Sequence, residues 1–301
     1  MTAKIMVQGT ASGVGKTAIS AGLCRLFRRK GFKTAPFKGQ NMTTHTYSET
    51  RLSEENLIMG TAQLLQSEAA GITPGPDINP VLLRPAGKGE VELIVRGRSQ
   101  GIKAGENLRK RKEDLKPLVR ESFERLSEKF DAVVMEGAGS PAEINLDGEV
   151  DLANMGIARM ASAPVILAGD IERGGVFASL FGTVRLLPPH ERELIQGLII
   201  NKFRGNEEIL KSGIVKLENM LNIPVLGVLP YLDFDLPEED SITGLKGRDD
   251  KDLSPKLTEN EPGTKKERDR REDQYEKLAD MLADNLDLDT LFEIMKDSRS
   301  R

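Results

Sequence analysis

The stretch Gly9 to Thr17, reading GTASGVGKT, does most to limit what this chain can fold into. The apolar residues Ile5, Met6 and Val7 precede it and an amphipathic run follows, which predicts a strand, a glycine-rich turn and a helix in that order. Glycines at 9, 13 and 15 permit a tight turn that aims successive N–H groups at one point, and the following helix turns its positive end to the same point. Such a loop binds phosphate. Gly13, Val14, Gly15, Lys16, Thr17 and Ala18 are the candidates for cradling a nucleoside triphosphate, with Lys16 reaching the terminal phosphates and the Thr17 hydroxyl facing a magnesium ion.

The rest of the chain alternates in the same manner. Ile19, Leu23, Leu26 and Phe27 recur at helical spacing, and Cys24 in the same helix reads as a packing residue. Apolar stretches at 33–37, 132–135, 164–168, 198–200 and 224–229 read as strands separated by helical patterns, which predicts an α/β fold: a mostly parallel, doubly wound P-loop NTPase sheet with helices on both faces. Thr61 to Ala70 reads as a helix, 79–85 as a short extended piece and Val91 to Val95 as another strand. The basic run from Lys103 to Lys116 reads as a solvated helical face or loop.

In sheets of this kind ligands bind at the carboxyl ends of the strands. Lys38, Gln40 and Asn41 follow the second strand and are placed for contact with phosphate or substrate. Glu136 closes the strand at 132–135 and opens the segment Glu136-Gly137-Ala138-Gly139-Ser140, where an acid opposite a phosphate loop would hold magnesium or its water. Arg173, in Glu172-Arg173-Gly174-Gly175 before a helix, suits an anionic group, with a structural salt bridge as the competing role. Asn201 ends another strand, and its amide can donate and accept at once, as the edge of adenine requires.

Composition excludes several function classes. The net charge of −4, the sparse aromatic residues and the absence of tryptophan speak against nucleic acid as a partner. One cysteine and the two histidines, His45 and His190, speak against an intramolecular disulfide and against cysteine- or histidine-based zinc sites. There is no secretory signal and no apolar run near 18 residues, so a cytoplasmic chain with no membrane partner is expected. Beyond Asp240 the composition shifts. The expected organisation is a P-loop domain over 1–242, a charged flexible linker over 243–273 and a helical tail over 274–301. In the tail Tyr275, Leu278, Leu282 and Leu286, then Leu288, Leu291, Phe292 and Met295, predict two short amphipathic helices with Asp287 as the cap between them. Helices this short are marginal alone and would dock on the main domain or a partner.

These motifs together carry a resemblance. GTASGVGKT at 9, APFKGQNM at 35, AQLLQSEAAG at 62, NPVLLRP at 79, VVMEGAGSPAEINL at 133, APVILAGDIERGGVFASLFGT at 163, LIINKFRG at 198 and IPVLGVLPYL at 223 cover most of residues 3 to 242. The chain is similar to the synthetase part of the adenosylcobyric acid synthase family, glutamine-dependent enzymes of cobalamin assembly, within the dethiobiotin synthetase-like P-loop group. The five residues between Gly9 and Gly15 match that group's loop, while the partitioning ATPases carry a lysine where this chain has Ala11. The resemblance implies ATP and Mg2+ as cofactors and a corrinoid substrate. Adenosylcobyrinic a,c-diamide would be amidated to adenosylcobyric acid through an acyl phosphate. It also implies roles: Lys16, Lys38 and Glu136 catalytic, Thr17 and Glu136 on the metal, Asn201 on adenine, and Gln40, Asn41, Ser140, Asn145 and Arg173 on the substrate side.

The chain departs from the family pattern in two respects. Where the family continues after Pro237 to Ser241 into a glutamine-hydrolysing domain, this chain has the charged run, so ammonia would come free from solution or from a separate glutaminase subunit. Ile58, Thr61 and His45 also stand where the family pattern has an acid, an arginine and an asparagine, with Glu54 or Glu55 as substitutes for the acid. Two other readings stand beside the amidation: a nucleotide-binding regulatory or scaffold homologue with impaired catalysis, supported by those changes, and a partitioning-type ATPase switch, disfavoured by Ala11. A homodimer is compatible with each.

Overall fold

A computed structural model describes residues 2–49, 57–87, 89–146, 150–232 and 265–297. In chain order, β1 (Ala3–Gly9) runs through the phosphate loop into α1 (Lys16–Arg29) and returns as β2 (Thr34–Phe37). A short β3 (Gln40–Met42), the paired β4 (Thr46–Glu49) and β5 (Leu57–Gly60), and α2 (Thr61–Ala70) follow. A meander of β6 (Val81–Gly87), β7 (Glu90–Val95) and β8 (Arg98–Ala104) leads into the long α3 (Gly105–Lys129). Then come β9 (Ala132–Glu136), α4 (Met155–Ala161), β10 (Val165–Asp170), α5 (Val176–Leu186), α6 (Pro189–Arg192), β11 (Ile195–Phe203), α7 (Lys211–Leu221), β12 (Val225–Pro230), α8 (Lys265–Asn285) and α9 (Leu288–Asp297).

The side chains of β1 alternate between two apolar layers, Ile5 and Val7 entering one and Met6 the other. Burial on both faces is what a parallel sheet needs. Six parallel strands run in the order β12-β11-β10-β1-β9-β2. On one face α1, α2, α8 and α9 pack over Ile5, Val7, Val134, Ile166 and Ile199, and on the other α3, α4, α5 and α7 cover Met6, Phe37, Met135, Leu167 and Ile200. The chain builds from β1 towards β2 and β9, then switches to β10 on the opposite side of β1. The crevice at such a switch point opens above the carboxyl end of the central strand, where the phosphate loop begins.

Two features lie outside the sequence-based expectation. The extended pieces at 79–85 and 91–95 are β6 and β7 of a second sheet, β3-β6-β7-β8, in which β3 and β6 run parallel and the rest antiparallel. Its β8 contains a glycine and is almost wholly exposed, so it carries no apolar alternation to betray it. The charged run expected to be a linker over 243–273 meets α8, which already starts at Lys265. Its charged residues have partners on the domain: Arg271 binds Glu68, and Glu272 binds Arg25. Residues 243–264 of that run lie outside the described residues.

The two terminal helices are part of the core. Tyr275, Leu278, Leu282, Leu291 and Met295 are buried, α8 lies along α1, and Phe292 stacks on Phe32 with centroids 6.2 Å apart. Beyond Asn285 the chain closes the outer edge of β12, where Gly227 bridges Leu286 and the Asp287 N–H donates to the Leu226 carbonyl at 2.7 Å. Asp287 caps α9, accepting from the Thr290 N–H at 3.1 Å and its hydroxyl at 2.7 Å. Among the described residues no helix is long and apolar enough to cross a membrane.

Candidate nucleotide and metal site

The site is built on the carboxyl ends of β1, β2, β9 and β11. The phosphate loop turns through Gly13 and Gly15, both at positive φ, and Gly15 at φ 97° leads into α1. A Cβ added at Gly15 would collide with the Asn201 carboxamide, so glycine is required there by both backbone and space. Asn201 Nδ2 donates to the Val14 carbonyl at 2.7 Å and Lys202 Nζ to that of Gly13 at 2.5 Å, so the end of β11 braces the loop. Lys202 also lies 3.4 Å from Asp170 at the end of β10. Lys16 is buried, and its ammonium donates to the carbonyls of Ala11 at 3.0 Å and Gly139 at 3.1 Å, joining the loop to the segment after β9.

Glu136 is the centre of the arrangement, 1% exposed at the tip of β9. Its Oε1 accepts from the Thr17 hydroxyl at 3.1 Å and from Lys38 Nζ at 2.9 Å. Its Oε2 accepts from Gln66 Nε2 on α2. Lys38 is 0% exposed, so this is an ion pair taken out of water, which is tolerable only with the extra hydrogen bonds that Thr17 and Gln66 supply. Asn79 fixes the backbone of Lys38, donating to its carbonyl at 3.1 Å. Thr17 and Lys38, both named from the sequence, therefore meet on Glu136, and Lys16 immediately precedes Thr17 in α1.

The donor set suits magnesium. Mg2+ is bound by one or two protein oxygens together with substrate phosphates, seldom by an all-protein cage. Thr17 Oγ1 and Glu136 Oε1 share a hydrogen bond, with a cationic ammonium on the same carboxylate oxygen. Among the described residues there is no group of three or more His, Cys, Asp and Glu that could hold a metal by themselves. Cys24 is buried in α1, where burial and then the charge of Glu136 push its thiol up, which suits packing and not nucleophilic chemistry.

The residues read as substrate-side spread further. Asn41 is buried in β3 and donates to Gln63 Oε1 at 2.9 Å, whereas Gln40 lines a cleft of about 1010 Å³ with Ala138, Ser140, Asn154, Lys112 and Arg120. Ser140, in the lining of this cleft, is half-buried. Asn145 is exposed in a single 3-10 turn, Ile144–Leu146, and Arg173 is exposed before α5. Asn201 faces the phosphate loop and is 7% exposed. Glu54 and Glu55 lie outside the described residues. Thr61 meets His45, its N–H donating to the His45 carbonyl at 3.1 Å, while Ile58 pairs with Ser48 across β4 and β5.

Sequence reasoning missed Gln66 and Asn154. Asn154 clamps the segment after Glu136, accepting from the Ala138 N–H at 2.9 Å and donating to the carbonyls of Ala138 at 2.7 Å and Ser140 at 3.1 Å. Asp151 holds Asn154 in turn, accepting from its N–H at 2.8 Å. The available signal for Gln66 was a pair of glutamines, 63 and 66, three apart in a helix whose one charged residue is Glu68.

The cobyric acid synthase of Clostridium acetobutylicum is 50% identical over 237 residues, covering 79% of this chain and 47% of that protein. The cobyric acid synthase of Caldanaerobacter subterraneus is 50% identical over 243 residues, 81% of this chain and 47% of its own length. The chain thus spans about half the length of the curated relatives it matches. Among solved structures, the signal recognition particle receptor FtsY from Elizabethkingia anophelis in complex with GDP aligns at a TM-score of 0.43 and 16% identity, over 80% of this chain and 58% of that one. The cell division protein MinD of Aquifex aeolicus aligns at a TM-score of 0.38 and 17% identity, over 76% and 82%. The CobQ/CobB/MinD/ParA nucleotide binding domain matches residues 5–241, and the chain belongs to that family.

Proposed function

We propose that the chain is an ATP-dependent carboxylate–amine ligase acting on corrinoid side chains, taking adenosylcobyrinic a,c-diamide towards adenosylcobyric acid. The observation that carries this reading is the buried contact of Thr17, Lys38 and Glu136 beside Lys16, in a chain half identical to cobyric acid synthases over four fifths of its length. A carboxylate is a poor electrophile until phosphorylated, and phosphoryl transfer needs positioned cations in place of a covalent protein group. In this reading the loop from Gly13 to Ala18 holds the ATP phosphates and Lys16 neutralises the terminal ones. Lys38 follows the migrating phosphoryl group from γ-phosphate to substrate carboxylate. Thr17 and Glu136 would hold Mg2+, which supplies charge neutralisation at the phosphates. Asn201 serves the adenine with the hydrogen-bonding capacity that Val14 leaves to it, and Gln40, Asn41, Ser140, Asn145 and Arg173 are assigned to the substrate side. Ammonia, free or from a separate glutaminase, attacks the acyl phosphate and expels phosphate. The domain limits 1–242, 243–273 and 274–301 and a cytoplasmic setting belong to the same proposal, with the middle boundary moved to the start of α8 at Lys265.

The changes at Ile58, Thr61 and His45, which lie in or beside β4 and β5, favour one second reading, a nucleotide-binding homologue that no longer amidates. One experiment separates the two. The protein is incubated with ATP, magnesium, an ammonium salt and adenosylcobyrinic a,c-diamide, and product is followed by mass spectrometry for successive carboxylate-to-amide changes. Amidated products that vanish in Lys16→Ala are expected. Nucleotide binding with no amide, even with an added glutaminase, would sink the ligase reading.

A further inference from the structure

Helix α2 lies between the site and the terminal helices. Its Gln63 and Gln66, 0% and 1% exposed, stand one turn apart and face the site: Gln63 accepts from Asn41, and Gln66 donates to Glu136 Oε2. Glu68, on another face of the helix, turns to the terminal helices. It accepts from Arg271 Nε at 2.8 Å, from Arg271 Nη2 at 3.2 Å and from the Tyr275 hydroxyl at 2.9 Å. Tyr275 is buried, and burial first, then the neighbouring Glu68 charge, push its phenol up, so it stays a hydrogen-bond donor.

A carboxylate has two oxygens, and a cation ligand is useful only when it presents the right one. With Oε2 taken by the Gln66 amide, Glu136 is held with Oε1 towards Thr17 and Lys38. A neutral amide orients the carboxylate without adding a second positive charge to the one Lys38 already places on Oε1. Partners of this kind, one step behind a metal ligand, set its affinity.

We infer that Gln66 is a positioning residue that fixes Glu136 as a cation ligand, and that the terminal helix α8 sets the position of Gln66 through the Tyr275 and Arg271 contacts with Glu68. This rests on the metal-nucleotide reading of the site proposed above. The terminal helices then contribute to the affinity of a site they do not touch.

The test uses the full chain and a fluorescent ATP analogue, titrated with and without Mg2+, alongside thermal denaturation. In Gln66→Leu the Mg2+ concentration at half-enhancement of binding should rise about tenfold, as expected for a residue behind a metal ligand. Metal-free analogue binding should stay within about twofold, because the phosphate loop is untouched. Tyr275→Phe keeps the ring in the core and removes one hydroxyl, so it should move the Mg2+ midpoint in the same direction by a smaller factor. An unchanged Mg2+ midpoint in folded Gln66→Leu, or equal losses with and without metal, overturns the positioning role. If Gln66→Leu does not fold, Tyr275→Phe decides alone: an Mg2+ midpoint equal to wild type overturns the link to α8. Failure of the wild-type protein to bind the analogue at all defeats instead the proposed function.

Discussion

At the residue scale the site turns on one buried carboxylate and the cation against it. Replacing Lys38 by alanine leaves Glu136 at 1% exposure without its charged partner, which costs about 3–5 kcal/mol in comparable buried pairs. Urea denaturation should therefore place Lys38→Ala well below the wild type. The double variant Lys38→Met, Glu136→Gln should recover most of that loss while remaining without ligase activity. A double variant no more stable than Lys38→Ala would show that the charge pair is not the origin of the loss. Lys38 and Glu136 were legible from sequence because they sit at strand ends, and Lys16 and Thr17 because they open the helix that follows the glycine-rich loop. Gln66 and Asn154 were not, since their partners are 70 and 16 residues away and are reached only when α2 and the stretch before α4 are packed.

At the element scale the six parallel strands could be read because their cores are continuous apolar runs, while the second sheet depends on pairings the sequence does not announce. Three-residue β3 begins only two residues after β2, and it becomes a strand because β6 comes alongside it. The sequence treated 37–42 as one ligand-contacting segment. It divides into the end of β2, a turn bearing Lys38, and a strand whose Asn41 is committed to Gln63. The packing of α8 and α9 on β12 offers a sharp test. A Cβ at Gly227 would run into the Asn285 carbonyl oxygen, which is backbone and cannot rotate away. Gly227→Val should lower stability by about 1–3 kcal/mol in thermal or urea denaturation, the usual cost of overpacking. The Asp287 cap gives a pH-dependent counterpart. Its hydrogen bonds with the Thr290 side chain, then with the Thr290 backbone, hold its carboxyl below the ordinary range. A depressed folded value means that the cap stabilises above the unfolded pKa of about 3.9 and that the contribution is lost as pH falls through the folded value. Asp287→Ala should melt earlier than wild type at pH 7, and the two should converge in strong acid. A gap that is constant across pH would exclude the ionised cap as its cause.

At the scale of the whole molecule, the terminal helices complete one of the two apolar layers over the sheet. Leu282 is 0% exposed between α1 and the rest of α8, and Leu282→Ala should cost about 2–5 kcal/mol by the cavity it leaves, read from denaturant midpoints. The expectation of helices docking on the main domain came from their amphipathic spacing, but no sequence pattern could say that they would close the free edge of β12. That closure has a topological consequence. Helix α8 covers α1, and the residues that follow it return to β12, where the Asp287 N–H is clasped to the Leu226 carbonyl. Detaching the terminal helices would therefore uncover α1 and release the Leu226 carbonyl of β12 in one step, opening a hydrogen-bonding edge to which another strand could add.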